Sequence, residues 1–276
     1  MPARYNERRG SDHPIDSGNQ WIPVERFSMN SCRPLVCGLI VALALLTGAR
    51  DAGAQTESRF SLDLGVGIDV GVNGNVNSGA IGTLQGQAAA ILPNPYSDVY
   101  GTGINLRVGT GYWLNDQSEL RAVLTFQSAD ADLVRLGDLG QSALYAQYSD
   151  YQSTSLDLGY RRYVKMPRRD VSLYGEGTLG IGFIDSLNVL LAAPQSNLVF
   201  DNTDFYDQTA AFTWGLNAGV LFRLNERLDL NAQFGLRHVS GLSDVDSLEG
   251  TDLEDINNDS GRLTVPIVVG LRFRFK

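Results

Sequence analysis

Between residues 59 and 275, apolar side chains recur at every second position in segments about ten residues long. In a β-strand that spacing puts them all on one face. Phe60, Leu62, Leu64, Val66, Ile68 and Val70 share a face in the first segment, against Ser61, Asp63, Gly65, Gly67 and Asp69. The second sets Ile104, Leu106, Val108, Tyr112 and Leu114 against Asn105, Arg107 and Gly109; the third, Leu120, Ala122, Leu124 and Phe126 against Glu119, Arg121 and Gln127. Leu156, Leu158 and Tyr160 oppose Asp157 and Arg161 in the fourth, and Leu173, Leu179, Ile181 and Phe183 oppose Tyr174, Glu176 and Thr178 in the fifth. The sixth runs from Thr209 to Phe222, the seventh sets Leu228 to Leu236 against Asp229 and Arg237, and the eighth sets Leu263 to Phe275 against Thr264, Arg272 and Arg274.

The connections alternate in length. Asn115-Asp116-Gln117, Lys165 to Asp170 and Asn225-Glu226-Arg227 are short, whereas 72–102, 129–150, 185–207 and 241–261 are long. The polar face carries Asp63, Arg107, Glu119, Arg121, Asp157, Arg161, Glu176, Asp229, Arg237 and Arg272. A small soluble barrel fills its interior with apolar side chains. Here the polarity is inverted, so the apolar face must meet lipid and the charged face must line a lumen. Every backbone group in lipid needs an internal partner, so the sheet must close. The pattern predicts an all-β chain: an eight-stranded antiparallel up-and-down transmembrane β-barrel, with four long extracellular loops and short periplasmic turns. Tyr112, Tyr160, Phe222, Phe273 and Phe275 near one rim, and Phe126, Phe183, Phe212 and Trp214 near the other, fit two interfacial aromatic girdles.

The leader agrees. Leu35 to Leu46 is an apolar run too short to span a bilayer, preceded by Arg33 and followed by Ala52-Gly53-Ala54. This reads as a secretory signal peptide over 29–54, cleaved near Ala54, with Met29 as the start and 1–28 an upstream extension. Residues 55–276 are then the barrel. Both cysteines, Cys32 and Cys37, fall in the leader, so the mature chain has no disulfide or thiolate metal site. Without the leader's six basic and five acidic residues, 16 basic and 26 acidic residues remain, net −10. A nucleic-acid partner is therefore not expected.

The end of the chain, Ile267-Val268-Val269-Gly270-Leu271-Arg272-Phe273-Arg274-Phe275-Lys276, resembles the C-terminal signal read by the barrel assembly machinery, except for Lys276 after the terminal aromatic. With the leader and the strand count, the chain is similar to the OmpA/OmpX/OmpW-like group of small outer-membrane barrels. The resemblance implies a monomer in the outer membrane, in contact with its lipid and lipopolysaccharide. It does not fix a function.

An eight-stranded barrel is just wide enough inside for side chains. The ten charged residues can interlock as a plug or line a narrow polar conduit. His238 and Ser240 project from one face at the outer end of the seventh segment. This resembles the His-x-Ser arrangement of lipid A 3-O-deacylases, the PagL family. The resemblance implies Ser240 as nucleophile, His238 as base, and Glu249 or Glu254 as the acid. Gly241 stands where that family has Asn. In the acidic fourth loop, Asp255, Asn257 and Asp259 space oxygen ligands as calcium loops do, but without the glutamate that usually closes the set. Ca²⁺ is the only cofactor suggested. Ala88 to Leu92 and Leu187 to Ala193 are apolar for outer loops: the first suggests a flap over the mouth or a short helix before Pro93, and both suggest lids, lipid-contacting patches or partner sites. The expectation is a non-enzymatic barrel with a structural or surface-interaction role. The alternatives are a narrow pore for small or apolar solutes and a lipid A hydrolase.

Overall fold

A computed structural model describes residues 59–164, 170–196, 198–245, 252–257 and 261–275. The predicted leader, Glu249 and Asp259 lie outside them. In chain order the elements are β1 (Phe60–Asn73), β2 (Asn75–Asn77), β3 (Ala80–Leu84), β4 (Gln87–Ile91), β5 (Asn94–Pro95), α1 (Tyr96–Tyr100), β6 (Thr102–Asn115), β7 (Ser118–Ala129), β8 (Leu133–Leu139) and β9 (Ser142–Tyr148). They continue as β10 (Tyr151–Val164), β11 (Val171–Ile184), β12 (Leu187–Ala193), β13 (Leu198–Asp207), β14 (Thr209–Arg223), β15 (Leu228–Val239), β16 (Ser243–Asp244) and β17 (Arg262–Arg274).

Eight of these strands close an antiparallel barrel in the order β1-β17-β15-β14-β11-β10-β7-β6. The first and last strands seal it, with Leu64 opposite Leu271 and Ile68 opposite Ile267. The expected polarity holds. Leu158, Leu179, Leu216 and Phe234 point outward and are 60% to 67% exposed, while Glu119, Arg161 and Arg272 point inward at 0%. A bilayer is the solvent that makes such an outer face stable.

The ladder between β15 and β17 is interrupted once. Pairing runs to Phe234–Ile267 and resumes at Arg237–Thr264, and the missing rungs lie at Pro266. Proline has no N–H to donate, so this seam lacks a ladder bond in mid-wall.

The long connections depart from the expectation of loops. The hairpins β3–β4, β8–β9 and β12–β13, with β16, form a second sheet in the order β16-β13-β12-β9-β8-β4-β3. The physical reason is that these segments alternate with period two as well, but with the apolar side turned inward. Ala89, Ile91, Leu144, Ala146, Tyr148, Leu187 and Val189 are all buried. Gln85 and Gly86, at φ 50° and 75°, provide the tight primed-type turn that joins β3 to β4. The short helix α1 follows Pro95 instead of preceding Pro93. The expected lids at Ala88–Leu92 and Leu187–Ala193 are therefore mainly strands of this sheet.

Polarity along the bore consequently switches partway up. Ala129, Tyr151, Ile184, Ala211 and Val239 point inward at the upper ends of barrel strands and join one apolar core with Val76, Val99, Leu139, Leu144, Leu187 and Tyr206. Barrel strands of 12 to 15 residues exceed the 9–11 or so that a bilayer requires. Their upper turns are the base on which this extracellular cap is built.

Candidate functional site: the filled bore and its cap

At the periplasmic end the bore has an aromatic floor. Trp113 stacks on Tyr163 with ring centroids 4.7 Å apart, and Tyr163 meets Tyr174 edge-on at 5.8 Å. Above it lies the charge network. Glu119 accepts from Tyr163 Oη at 2.6 Å, from Ser61 Oγ at 2.9 Å and from Arg272. Arg272 also donates to Ser61 Oγ at 2.9 Å and stands 3.6 Å from Asp63. Arg121 bridges Asp63 at 2.9 Å and Glu176 at 2.8 Å. Arg161 lies 2.6 Å from Glu176 and spreads its guanidinium over the Tyr174 ring, 3.7 Å from the centroid. Charge-assisted bonds of this kind, shared around a ring, fix each side chain in place.

A second group sits higher. Asp157 accepts from Thr213 Oγ1 at 2.5 Å and Ser155 Oγ at 2.9 Å, and Arg237 stands 3.6 Å away. Asn105 donates to Asp69 at 2.7 Å. Of the ten charges expected in the lumen, Asp63, Glu119, Arg121, Arg161, Glu176 and Arg272 join one network. Asp157 and Arg237 form another, Asp229 pairs with Arg274 at the periplasmic end, and Arg107 makes no ion pair among the described residues. A cavity of about 40 Å³ lies at mid-bore, lined by Asp63, Asp157 and Glu176 and by Arg107, Arg121 and Arg237.

The network depends on glycines opposite the large groups. A Cβ on Gly111 would overlap Glu119 Oε1 and stand 2.6 Å from Ser61 Oγ. Gly111→Ala is expected to displace Glu119 and lower stability by about 1–3 kcal/mol. The midpoint of heat-induced migration change in detergent gels measures this, and an unchanged midpoint would contradict it.

The cap packs its apolar side over the upper strand ends. Arg262 is buried between the rings of Tyr151 and Tyr96, 4.3 Å and 5.5 Å from their centroids. Tyr206 donates to the Val76 carbonyl at 2.7 Å, and Tyr148 to Asn77 Oδ1 at 3.0 Å. Burial pushes the Tyr100 and Tyr148 phenols well above their usual range.

His238 and Ser240 share the outer wall but are not joined by a hydrogen bond. The His238 ring stacks on Trp214 at 5.5 Å, and its Nδ1 is buried without a partner. Ser240 Oγ accepts from the Phe212 N–H at 2.9 Å, and the Ser240 N–H donates to the Phe212 carbonyl at 2.9 Å. The hydroxyl thus continues the β14–β15 pairing by one rung. Glu254 is exposed on the turn Glu254–Asn257. Of the calcium-like set, Asp255 is exposed, whereas Asn257 is buried and donates to the Phe205 carbonyl at 3.1 Å.

Comparison with known families settles what kind of wall this is. The model for the outer membrane protein beta-barrel domain matches residues 39–273. The chain belongs to that family. Membership in this outer-membrane β-barrel family places it in the outer membrane. No curated protein sequence matches it. Solved structures similar to it include Neisserial surface protein A, at 13% identity and TM-score 0.42, covering 80% of this chain and 100% of that one. A major outer membrane protein from Thermus thermophilus has 15% identity and TM-score 0.43, covering 78% and 99%. The outer membrane protein OprG from Pseudomonas aeruginosa has 14% identity and TM-score 0.39, covering 79% and 97%.

Several residues that matter to this family member were not among the sequence candidates. Alternation already placed Asp69 and Arg274 on the polar face of β1 and β17, but neither was counted among the ten lumen charges. Tyr163 and Arg262 lie beyond the segments assigned to their strands. Trp113 gave no signal apart from being an aromatic of polar parity.

Proposed function

We propose that this outer-membrane barrel is sealed, and that it serves the envelope through its extracellular sheet and not by conduction or catalysis. The export leader at 29–54 belongs to this reading. The observation that carries it is the fully buried network of Glu119, Arg161 and Arg272 across the bore, beneath an apolar cap core. An ion crossing this barrel would have to break charge-assisted bonds and then pass a dry core, which is costly. In planar bilayers the purified protein is expected to stay at baseline current. Stepwise openings would overturn the reading in favour of a narrow pore.

The same reading gives Ser240 a structural role. Ser240→Ala is expected to leave the lipid A species of the host envelope unchanged by mass spectrometry. Loss of a deacylated species in the variant would replace the reading with a hydrolase.

A further inference from the structure

Surface charge is divided between the two ends of this barrel. The four outer connections, 74–101, 130–150, 185–208 and 240–261, hold sixteen aspartates and glutamates and one basic residue, Arg135. Arg135 is itself paired with Asp138 at 2.7 Å. The periplasmic end has the opposite sign. Arg59, Arg162, Arg223 and Arg227 are all exposed there and make no ion pair among the described residues. The sequence gives the turn between β10 and β11 three further basic residues, Lys165, Arg168 and Arg169, while the acids of the periplasmic turns are Asp116, Asp170 and Glu226.

The height of these arginines decides what they meet. Phe60, Tyr112, Leu120 and Tyr160 form one cross-strand row on the outer wall, and the Phe60 and Tyr112 ring centroids are 5.1 Å apart. Aromatic rings at the rim of a membrane barrel sit among lipid headgroups. Arg162 follows Tyr160 on the same outward face of β10, about 7 Å nearer the periplasm. Arg59 directly precedes Phe60, and Arg223 directly follows Phe222. Their guanidinium groups therefore reach the phosphate level of the periplasmic leaflet. Arginine binds phosphate through paired N–H bonds. A zwitterionic headgroup already carries a cation for its phosphate, whereas an anionic headgroup does not. We propose that this arginine rim binds anionic phospholipid headgroups, of the phosphatidylglycerol kind, in the periplasmic leaflet. The acidic outer end repels the same headgroups, so the preference belongs to one end of the barrel.

Quenching by brominated lipid tests this at each end separately. With Cys32 and Cys37 changed to Ser, a fluorophore is attached at Val164→Cys, outward on the periplasmic rim, or at Phe183→Cys, outward on the outer rim beside the exposed Asp185. The protein is placed in phosphatidylcholine vesicles with a minor share of either dibrominated phosphatidylglycerol or dibrominated phosphatidylcholine. At Val164→Cys the two quenching curves are expected to report an enrichment of the anionic lipid by about fivefold, the contribution of one arginine at a membrane surface. High salt is expected to reduce it. At Phe183→Cys no enrichment is expected. Changing Arg162, Arg223 and Arg227 together to Gln is expected to remove the enrichment at Val164→Cys. Equal quenching by the two lipids at the periplasmic rim would overturn the proposal. Enrichment at both ends, or enrichment that survives the triple substitution, would do the same. If the triple variant does not fold, the salt dependence and the contrast between the two ends decide.

Discussion

Arg272→Ala is expected to lower the unfolding free energy by about 3–5 kcal/mol, the typical result of removing one member of a buried ion pair. Arg272 is fully buried and joins Glu119, Ser61, Tyr163 and Asp63. Without it, Glu119 stays desolvated with only hydroxyl donors. The heat-induced migration change should move down by roughly 10 °C, since 1 kcal/mol corresponds to about 2–4 °C in a domain of this size. Replacing both partners, as Arg272→Met with Glu119→Gln, should recover most of the loss, because no bare charge remains. A single variant within 1 kcal/mol of the parent by denaturant titration, roughly the net worth of an ordinary hydrogen bond, would show that the network does not hold the barrel.

The second large effect concerns the cap. Leu144 is fully buried in the extracellular core, and Leu144→Ala is expected to cost about 2–5 kcal/mol. Because the cap rests on the upper strand ends, the loss should appear first as faster hydrogen exchange in β9 and β12, by at least tenfold, with less change in β7 and β14. Equal acceleration in both regions would mean that cap and barrel open as one unit. The cap also has a pH dependence. Burial raises the Tyr100 and Tyr148 phenols above the ordinary value of 10.0. Their contribution is therefore complete below pH 10 or so and is lost as pH rises above it. After division by the base-catalysed intrinsic rate, exchange in the cap should rise on alkalinisation before the barrel loses its folded migration.

Strict alternation made the barrel legible, because a one-residue error in parity would have turned Arg161 or Glu176 into lipid. The tight turns at Asn115–Gln117 and Asn225–Arg227 fixed which strands are neighbours. The partners inside the bore were not legible. Arg272 and Glu119 are 153 positions apart, and only the stagger of a closed barrel brings them to one level. The cap was missed for a different reason. Its strands are mostly shorter than those of the barrel wall, and they turn their apolar side inward. Ala88 to Leu92 gave the clue, as an apolar run where an outer loop should be polar. Pro266 also passed unnoticed, although a proline in a central strand marks a break in the ladder. The resemblance at His238 and Ser240 gave spacing without geometry, and the stacking on Trp214 and the bond to Phe212 became visible only in the folded wall.

The central claim is that the bore is closed to water-borne solutes. Apart from the two leader cysteines, Cys32 and Cys37, the chain has none, so a single cysteine in the barrel is a clean probe. Thr125 points inward on β7, is buried, and lines the mid-bore cavity. The most direct measurement is the labelling rate of Thr125→Cys by a small charged maleimide or methanethiosulfonate. In the folded protein the site is expected to stay unlabelled, and to react fully after heat denaturation. Rapid labelling of the folded barrel would contradict the sealed bore.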